Sequence, residues 1–311
     1  MTSTAARISH SLTVTTSPAF NFWLTVYSHG WYSLPPFSVD SDRKELTRVL
    51  DLPGGRTVQC TISGSSGKIA VNYRTRARLG PADRKLIRKD IEAMFRLDED
   101  FTDFHRTIGK IPAYRWIASM RAGRLLRAPT VFEDMVKMIC TTNCTWSLTT
   151  LMTTNLVGLF GNASDNGFRG FPSATLLAGT TEQFLRREVK AGYRAPYLLQ
   201  LADRVASGKL DPEQWRDPRI PTEELLKSLL AVKGIGPYAA QNVLRLLGRY
   251  DFLALDSWVR SKYYSLYHKG RSVKDRTIES RYSRYGEWRG LVFWMEMTRD
   301  WHDEKFSSAG S

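Results

Sequence analysis

Two glycines and a lone carboxylate form the most informative pattern in the chain. Gly234 and Gly236 interrupt an apolar helical pattern, and Asp256 follows the second glycine by 20 residues. Glycine tolerates positive φ angles and close approach of the backbone, so this turn could press its N–H groups against an anion. A carboxylate held nearby could stabilise a developing positive charge or orient a water molecule. The spacing therefore predicts an anion-binding turn that places one acid beside the bound group.

The sequence on both sides of the glycines is typical of two short helices, which we predict over residues 222–248. Thr222 fits the cap of the first helix, Pro237 fits the first position of the second, and Gly248 fits its stop. A helical hairpin without a ligand would show the same pattern, because short Gly motifs occur by chance. The residues of the predicted turn are Lys233, Gly234, Ile235, Gly236, Pro237 and Tyr238.

Asp256 lies between a short apolar run, residues 252–255, and the dipeptide Ser257-Trp258. This context predicts a partly buried carboxylate that caps a new helix. The positive end of that helix favours the ionised form of the side chain. Taken alone, Asp256 would fit a plain helix cap better than a functional acid.

The glycine turn and the downstream acid resemble the helix-hairpin-helix superfamily of DNA glycosylases. Residues 139–143 (Ile-Cys-Thr-Thr-Asn) and 192–195 (Gly-Tyr-Arg-Ala) match stretches of its 8-oxoguanine members in the same order. The chain looks most similar to 3-methyladenine glycosylase II and 8-oxoguanine glycosylase relatives. This resemblance implies an α+β fold, with a mostly helical glycosylase core and an N-terminal antiparallel β-sheet domain. It also implies an enzyme that flips a base out of double-stranded DNA.

The resemblance also assigns roles to individual residues. Asp256 is the catalytic residue, Asn143 fills the gap left by the flipped base, and Arg194 reaches toward the orphaned partner base. Asn143 would also suit an ordinary turn, and Arg194 an ordinary phosphate contact. A monovalent cation, K⁺ or Na⁺, would be held by the backbone carbonyls of Leu230, Val232 and Ile235.

Tyr238 is the main departure from the family pattern. Members that also cut the DNA strand carry a Lys here, whose amine attacks the sugar to form a Schiff base. A phenol cannot do this, and Lys233 lies five positions earlier, where it should face another direction. We therefore predict a monofunctional glycosylase that uses water and leaves an abasic site for base excision repair. A helix-hairpin-helix protein that binds DNA without catalysis is the alternative.

The aromatic residues Trp146, Trp258, Trp294 and Tyr238 are candidate walls of the base pocket. Aromatic faces stack on a flipped base and attract cations, which favours a positively charged alkylated purine as the substrate. Gly290 stands where the resembling 8-oxoguanine enzymes offer a base-reading Gln. An oxidised or phage-type modified base stays open, as does a core role for each tryptophan.

The charge of the chain points to a polyanionic partner. Its 45 Lys and Arg exceed its 31 Asp and Glu, giving a net charge of +14 and a pI of about 9.8. No stretch approaches the roughly 20 apolar residues of a membrane-spanning helix. We expect double-stranded DNA as the partner, no membrane, and a monomer.

Three cysteines, Cys60, Cys140 and Cys144, make neither a disulfide framework nor a zinc site. No Cys follows Cys144, so we expect no iron–sulfur cluster of the endonuclease III type. We expect no cofactor to be required beyond the hairpin cation. Free thiols indicate a reducing compartment, either a cytoplasm with its nucleoid or a eukaryotic nucleus.

The pattern of the chain changes along its length. We predict a flexible start over residues 1–18, a β domain with one helix over 19–111, and the helical core over 112–311. In the β domain, strands are predicted over 22–27, 57–62 and 69–73, with a hairpin loop at 63–67 and a helix over 81–106.

Overall fold

The structure is a computed structural model that describes residues 8–75 and 78–306. It confirms the α+β fold, with one antiparallel sheet and many short helices. The chain forms two compact units, which we call the sheet unit and the hairpin unit. The sheet unit is Met1–Asp100 with Leu125–Glu213, and the hairpin unit is Phe101–Arg124 with Gln214–Ser311. Each unit therefore draws on two separate stretches of chain, which the predicted division at residue 111 does not capture.

The sheet unit contains five antiparallel strands in the order β1-β5-β4-β3-β2. The predicted hairpin joins β4 to β5, with Ser65 paired to Lys68 and Gly67 at φ +75° in the turn. The strands are β1 (Ile8–Thr15), β2 (Phe37–Asp40), β3 (Glu45–Leu52), β4 (Arg56–Ser65) and β5 (Lys68–Thr75).

Three predictions in this region are wrong. Residues 22–26 form helix α1 (Phe22–Val26) instead of a strand, because Asn21 caps it by accepting from the Leu24 N–H at 3.1 Å. Much of the predicted flexible start is strand β1, which pairs with β5; residues 1–7 lie outside the described part. The single helix predicted over 81–106 is two helices, α2 (Pro81–Met94) and α3 (Thr102–Gly109), which belong to different units.

One face of the sheet supplies the core of the sheet unit. Val58, Cys60 and Ile62 alternate along β4 and are buried, as expected for a strand with one covered face. Helix α2 contributes the fully buried Ile87 and Ile91 to the core of the same unit. The remaining helices of the unit are α5 (Val131–Thr141), α6 (Trp146–Phe160), α7 (Ala174–Ala178), α8 (Glu182–Phe184, continued by a π-helical turn) and α9 (Ala195–Ala206).

A buried ionic group ties strand β3 to helix α5. The Arg48 guanidinium donates to both carboxylate oxygens of Glu133, at 2.8 and 2.6 Å, and Lys137 Nζ lies 2.7 Å from the same carboxylate. Burial raises the pKa of Glu133, but the two cations outweigh it and hold that pKa below its ordinary value. Helix α5 is thereby fixed to the sheet at one end, while its other end leads into Asn143.

In the part of the chain that the structure describes, the regular elements of the hairpin unit are all helices. None of the described helices in either unit is long and apolar enough to cross a membrane. Besides α3, its helices are α4 (Arg115–Ser119), α10 (Thr222–Leu230), α11 (Pro237–Leu246), α12 (Ser257–His268), α13 (Asp275–Tyr282), α14 (Arg289–Met297) and α15 (Arg299–Phe306).

Candidate active site and DNA-binding turns

Helices α10 and α11 form the predicted hairpin over residues 222–248. Leu229 of α10 and Ala240 of α11 are fully buried apolar residues of this pair. Gly248 follows α11 at φ +88°, as predicted for its stop. The predicted cap is displaced by one residue, because Pro221 is the N-cap and Thr222 begins the helix.

The turn between the helices exposes the N-terminus of α11. Gly234 adopts φ +88°, which explains why the turn uses glycine at that position. Gly236 has φ −87° and caps α11 without a side-chain hydrogen bond. A Cβ added at Gly236 would meet no protein atom within 4 Å. The protein itself leaves room for a side chain at this position. The absence of a side chain therefore favours close approach of a ligand to the free N–H groups at the start of α11.

Three backbone carbonyls of the hairpin are the predicted cation ligands. Leu230 is the last residue of α10, where carbonyls lie beyond the helix's own hydrogen bonds. The Val232 carbonyl accepts from the Ile235 N–H at 3.1 Å. Oxygen donors of this type suit a hard cation, so the residues present fit K⁺ or Na⁺.

Asp256 is the N-cap of helix α12, as predicted. The side chain is half-buried, and its Oδ1 accepts from the Val259 N–H at 2.8 Å. The Tyr238 hydroxyl lies near this carboxylate. Burial and the negative charge of Asp256 both raise the pKa of Tyr238, so the phenol keeps its proton and acts as a donor.

A polar stripe on helix α11 faces the acid. Tyr238, Asn242 and Arg245 are spaced by four and three residues, so they share one face of the helix. The Arg245 guanidinium is buried and lies near both Tyr238 and Asp256. Arg245 and Asn242 were not among the predicted site residues. Their helical spacing from Tyr238 is the signal that could have found them.

Three tryptophans of the hairpin unit form a cluster, and one of them, Trp258, follows Asp256 by two residues. Trp258 is 40% exposed and lies with its ring centroid 5.1 Å from that of Trp301. Trp294 is half-buried, and its ring centroid lies 5.8 Å from that of Trp301. The Arg245 guanidinium lies over the Trp294 ring, 4.7 Å from its centroid. The base-pocket roles of Trp258 and Trp294 stay predictions, and Trp301 joins them as a neighbour that the sequence did not indicate.

Gly290 is excluded from base reading by its packing. A Cβ at this position would lie 2.0 Å from the carbonyl oxygen of Phe252, which is too close for any side chain. The Gly290 N–H also donates to the Tyr250 carbonyl at 2.7 Å. The glycine is therefore required by the fold, and no Gln could stand here without moving the backbone.

In the sheet unit, Asn143 lies in an exposed turn between α5 and α6. It adopts φ +47°, and its Nδ2 donates to the hydroxyl of Tyr193 at 3.4 Å. The Tyr193 hydroxyl in turn donates to the Thr142 carbonyl at 3.3 Å. Tyr193 is 45% exposed, so the side chains of Asn143 and Tyr193 form a joint exposed surface. Of these two residues, only Asn143 was a predicted site residue.

Arg194 occupies a different place from the one expected. Its side chain is 3% exposed, donates to the Thr142 carbonyl and stacks on the Tyr193 ring at 4.5 Å. The guanidinium thus supports the turn that carries Asn143 from inside the protein. Contact with an orphaned base stays a prediction, and in this structure the side chain does not point into solvent.

Trp146 also belongs to the sheet unit, where it begins helix α6. The side chain is 44% exposed, and its ring covers Gly30 so closely that a Cβ there would lie 2.4 Å away. The structure therefore groups the predicted site residues in two sets. Asp256, Tyr238, Trp258 and Trp294 lie in the hairpin unit, whereas Asn143, Arg194 and Trp146 lie in the sheet unit.

Comparison with known proteins finds DNA glycosylases. A Methanothermobacter thermautotrophicus protein named a probable N-glycosylase/DNA lyase is 28% identical over 232 residues, or 66% of this chain and 72% of that protein. The solved 3-methyladenine DNA glycosylase from Archaeoglobus fulgidus has a TM-score of 0.73 and 22% identity, covering 92% of this chain and 98% of its own. The Clostridium acetobutylicum 8-oxoguanine glycosylase/lyase has a TM-score of 0.70 and 18% identity, covering 92% and 95%. No family model matches the sequence.

The two solved structures show that this chain has the fold of a DNA glycosylase built around a helical hairpin. The curated relatives of this chain are also named as DNA glycosylases, as the resemblance of its motifs to these enzymes implies. The resemblance deduced from the glycine turn and Asp256 is thereby confirmed. The roles of the individual site residues stay predictions.

Proposed function

We propose that this protein is a monofunctional DNA glycosylase that hydrolyses the N-glycosidic bond of a flipped base. The observation that carries the proposal is the Asp256 carboxylate, which caps helix α12 with the protonated phenol of Tyr238 nearby. A phenol that retains its proton stands where a nucleophilic amine would be needed for strand cleavage. The site therefore pairs a carboxylate with a donor and offers no amine of its own at residue 238.

Asp256 would act on the sugar in two ways. As the C1′–N bond breaks, its electron pair leaves with the base and the sugar becomes an oxocarbenium ion. The carboxylate stabilises this positive charge and orients the water that adds to C1′, accepting its proton. The hydrogen bond from the Val259 N–H fixes the carboxylate before the substrate arrives, which lowers the reorganisation needed during the reaction.

DNA would be held by its phosphates and by a filled gap. The Gly234–Gly236 turn and the exposed Lys233 suit one phosphate, and the net charge of +14 suits the rest of the duplex. A K⁺ or Na⁺ ion on the hairpin carbonyls would add a bridge to the same phosphate. In the sheet unit, Asn143 and Tyr193 would enter the space left by the flipped base, offsetting part of the unstacking cost.

For the base itself we propose an alkylated purine as the first candidate. The exposed face of Trp258 offers stacking to an electron-poor ring. The close packing around Gly290 leaves no room for the Gln that would read 8-oxoguanine. Arg245 weighs against a cationic base, because its guanidinium already covers Trp294. A neutral modified base is therefore the second candidate, and the relatives include enzymes named for both classes.

A panel of duplex oligonucleotides, each with one modified base, tests the proposal. We expect strand breaks at one kind of base, only after alkali treatment of the abasic site. Borohydride should trap no covalent complex with that substrate. Breaks without alkali, or a trapped complex, would refute the monofunctional assignment. Duplex binding with no release of any base would refute the enzymatic one.

A further inference from the structure

The loop that carries Asp256 contains a residue in an unfavourable conformation. Ala254 has φ +52°, a left-handed backbone conformation that residues other than glycine adopt at a cost in free energy. The residue is buried, and Asp256 follows it by two positions. A turn of this kind persists only when its surroundings hold it, and any relaxation would move the carboxylate.

Two side chains of helix α11 hold this turn. The Ala254 N–H donates to Gln241 Oε1 at 2.9 Å. The Leu253 carbonyl accepts from Arg245 Nη2 at 2.8 Å. Gln241 and Arg245 are four residues apart and therefore lie on the same side of the helix. Together they satisfy the carbonyl and the N–H of the peptide unit that joins Leu253 to Ala254.

Arg245 is itself fixed in place. It is 4% exposed, its Nη1 donates to Asn242 Oδ1 at 3.2 Å, and its guanidinium lies over the Trp294 ring. Burial lowers the pKa of Arg245 to about 10, and the neighbouring Tyr238 and Asp256 oppose this shift. The group therefore stays protonated at neutral pH and keeps donating to the Leu253 carbonyl.

Helix α14 secures the part of the loop before this turn. The Gly290 N–H donates to the Tyr250 carbonyl, and Arg289 Nε donates to the Asp251 carbonyl. The loop is thus held at residues 250 and 251 from one helix and at 253 and 254 from another. The contacts from α11 act directly on the strained peptide before Asp256.

We propose that Gln241 and Arg245 are positioning residues, which hold the Leu253–Ala254 turn so that Asp256 meets Tyr238 and the sugar. This inference rests on the proposed function of Asp256 as the catalytic acid. It assigns a specific task to a buried charge in the helix that also presents the phosphate-binding turn. A merely structural role would weaken the fold without a special effect on the acid.

The test uses near-isosteric variants, Gln241→Met and Arg245→Met, in the full chain. Single-turnover excision should fall about tenfold in each, since one hydrogen bond to the turn is lost, while duplex affinity stays within about twofold. Arg245→Lys should retain part of the rate because it keeps the charge and one donor. Adding Ala254→Gly to Gln241→Met should restore much of the rate, since glycine needs no support at this φ.

Arg249→Met is the matched control. Arg249 Nη2 also donates to backbone carbonyls, those of Asp217 and Ile220, both at 3.1 Å, but not to the Asp256 loop. It should cost stability without lowering the excision rate of the folded protein. Equal rate losses in Arg245→Met and Arg249→Met, with no rescue by Ala254→Gly, would overturn the positioning role.

Amide hydrogen exchange separates this inference from the proposed function. In the free protein, Gln241→Met and Arg245→Met should speed exchange at Ala254 and at Val259, whose N–H reports on the Asp256 cap. Unchanged exchange at Val259 would overturn the inference, whatever the activity. Faster exchange in the variants, combined with a wild type that releases no base, would support the positioning role and sink only the enzymatic assignment.

Discussion

Replacing Gly236 by alanine separates DNA binding from folding more cleanly than any other change in the hairpin. The backbone at Gly236 has φ −87°, which alanine adopts without strain, and the added Cβ meets no protein atom within 4 Å. The free energy of unfolding should therefore change by less than about 1 kcal/mol. The same methyl group would stand between the α11 N-terminus and a phosphate.

The loss of affinity can be worked out from that contact. Hydrogen bonds to a charged acceptor contribute about 1.5–3 kcal/mol, so losing one should weaken duplex binding about tenfold to a hundredfold. Fluorescence anisotropy with a labelled duplex at fixed salt measures the affinity, and thermal unfolding measures the stability. Wild-type affinity in a folded Gly236→Ala protein would refute the reasoning that this turn binds phosphate.

Two other glycines supply the controls. Gly234 has φ +88°, so Gly234→Ala should lower stability by about 1–2 kcal/mol through strain alone. Gly158 is exposed within helix α6, with open space around its Cα. Gly158→Ala should raise stability by about 0.5–1 kcal/mol and leave DNA affinity unchanged. Only Gly236→Ala should combine normal stability with weak binding.

Three further predictions follow from contacts in the two units. Tyr238→Phe removes a hydroxyl that lies near Asp256 and that we expect to donate to it in the reaction, so single-turnover excision should slow about tenfold with normal duplex affinity; an unchanged rate would mean that the hydroxyl does not assist the acid. Asn143→Gly keeps the left-handed backbone at φ +47° but deletes the side chain, so 2-aminopurine fluorescence should show reduced base flipping at unchanged stability. Glu133→Gln leaves the buried Arg48 and Lys137 without their anion and should cost about 3–5 kcal/mol in urea unfolding. Because the pKa of Glu133 is lowered in the fold, the wild type should lose this contribution as the pH falls below 4.5, and the variant should lack that part of the acid sensitivity.

The sequence predicts the hairpin and the acid well because their signals are local. Glycine at a positive φ, proline at the start of a helix and aspartate at a cap each depend on a few neighbouring residues. Gly234, Pro237 and Asp256 accordingly stand where the pattern placed them. The hairpin between β4 and β5 was predictable for the same reason.

The misses depend on contacts distant in sequence. Residues 22–26 have strand-forming composition, yet a cap by Asn21 and burial of one face make them helical. Strand β1 forms by pairing with β5, which lies more than 50 residues away in the sequence, so the local sequence does not indicate it. Arg194 is buried against Thr142 and Tyr193, and its sequence context does not indicate this burial; its contact with an orphaned base stays a prediction.

The burial of Arg245 is not what its charge predicts. An arginine within a helix usually faces solvent, and this one is nearly fully buried. Its partners, the Leu253 carbonyl and the Trp294 ring, come from a loop and from helix α14. Its burial depends on these tertiary contacts, which local periodicity does not indicate.

The most direct test of the account is base release by Asp256→Asn beside the wild type. The amide oxygen of asparagine can still accept from the Val259 N–H, so the cap of α12 and the fold should survive. On the substrate found in the oligonucleotide panel, the variant should bind the duplex as tightly as the wild type and release the base at least about a hundredfold more slowly. Release at the wild-type rate by Asp256→Asn would contradict the claim that this carboxylate performs the chemistry.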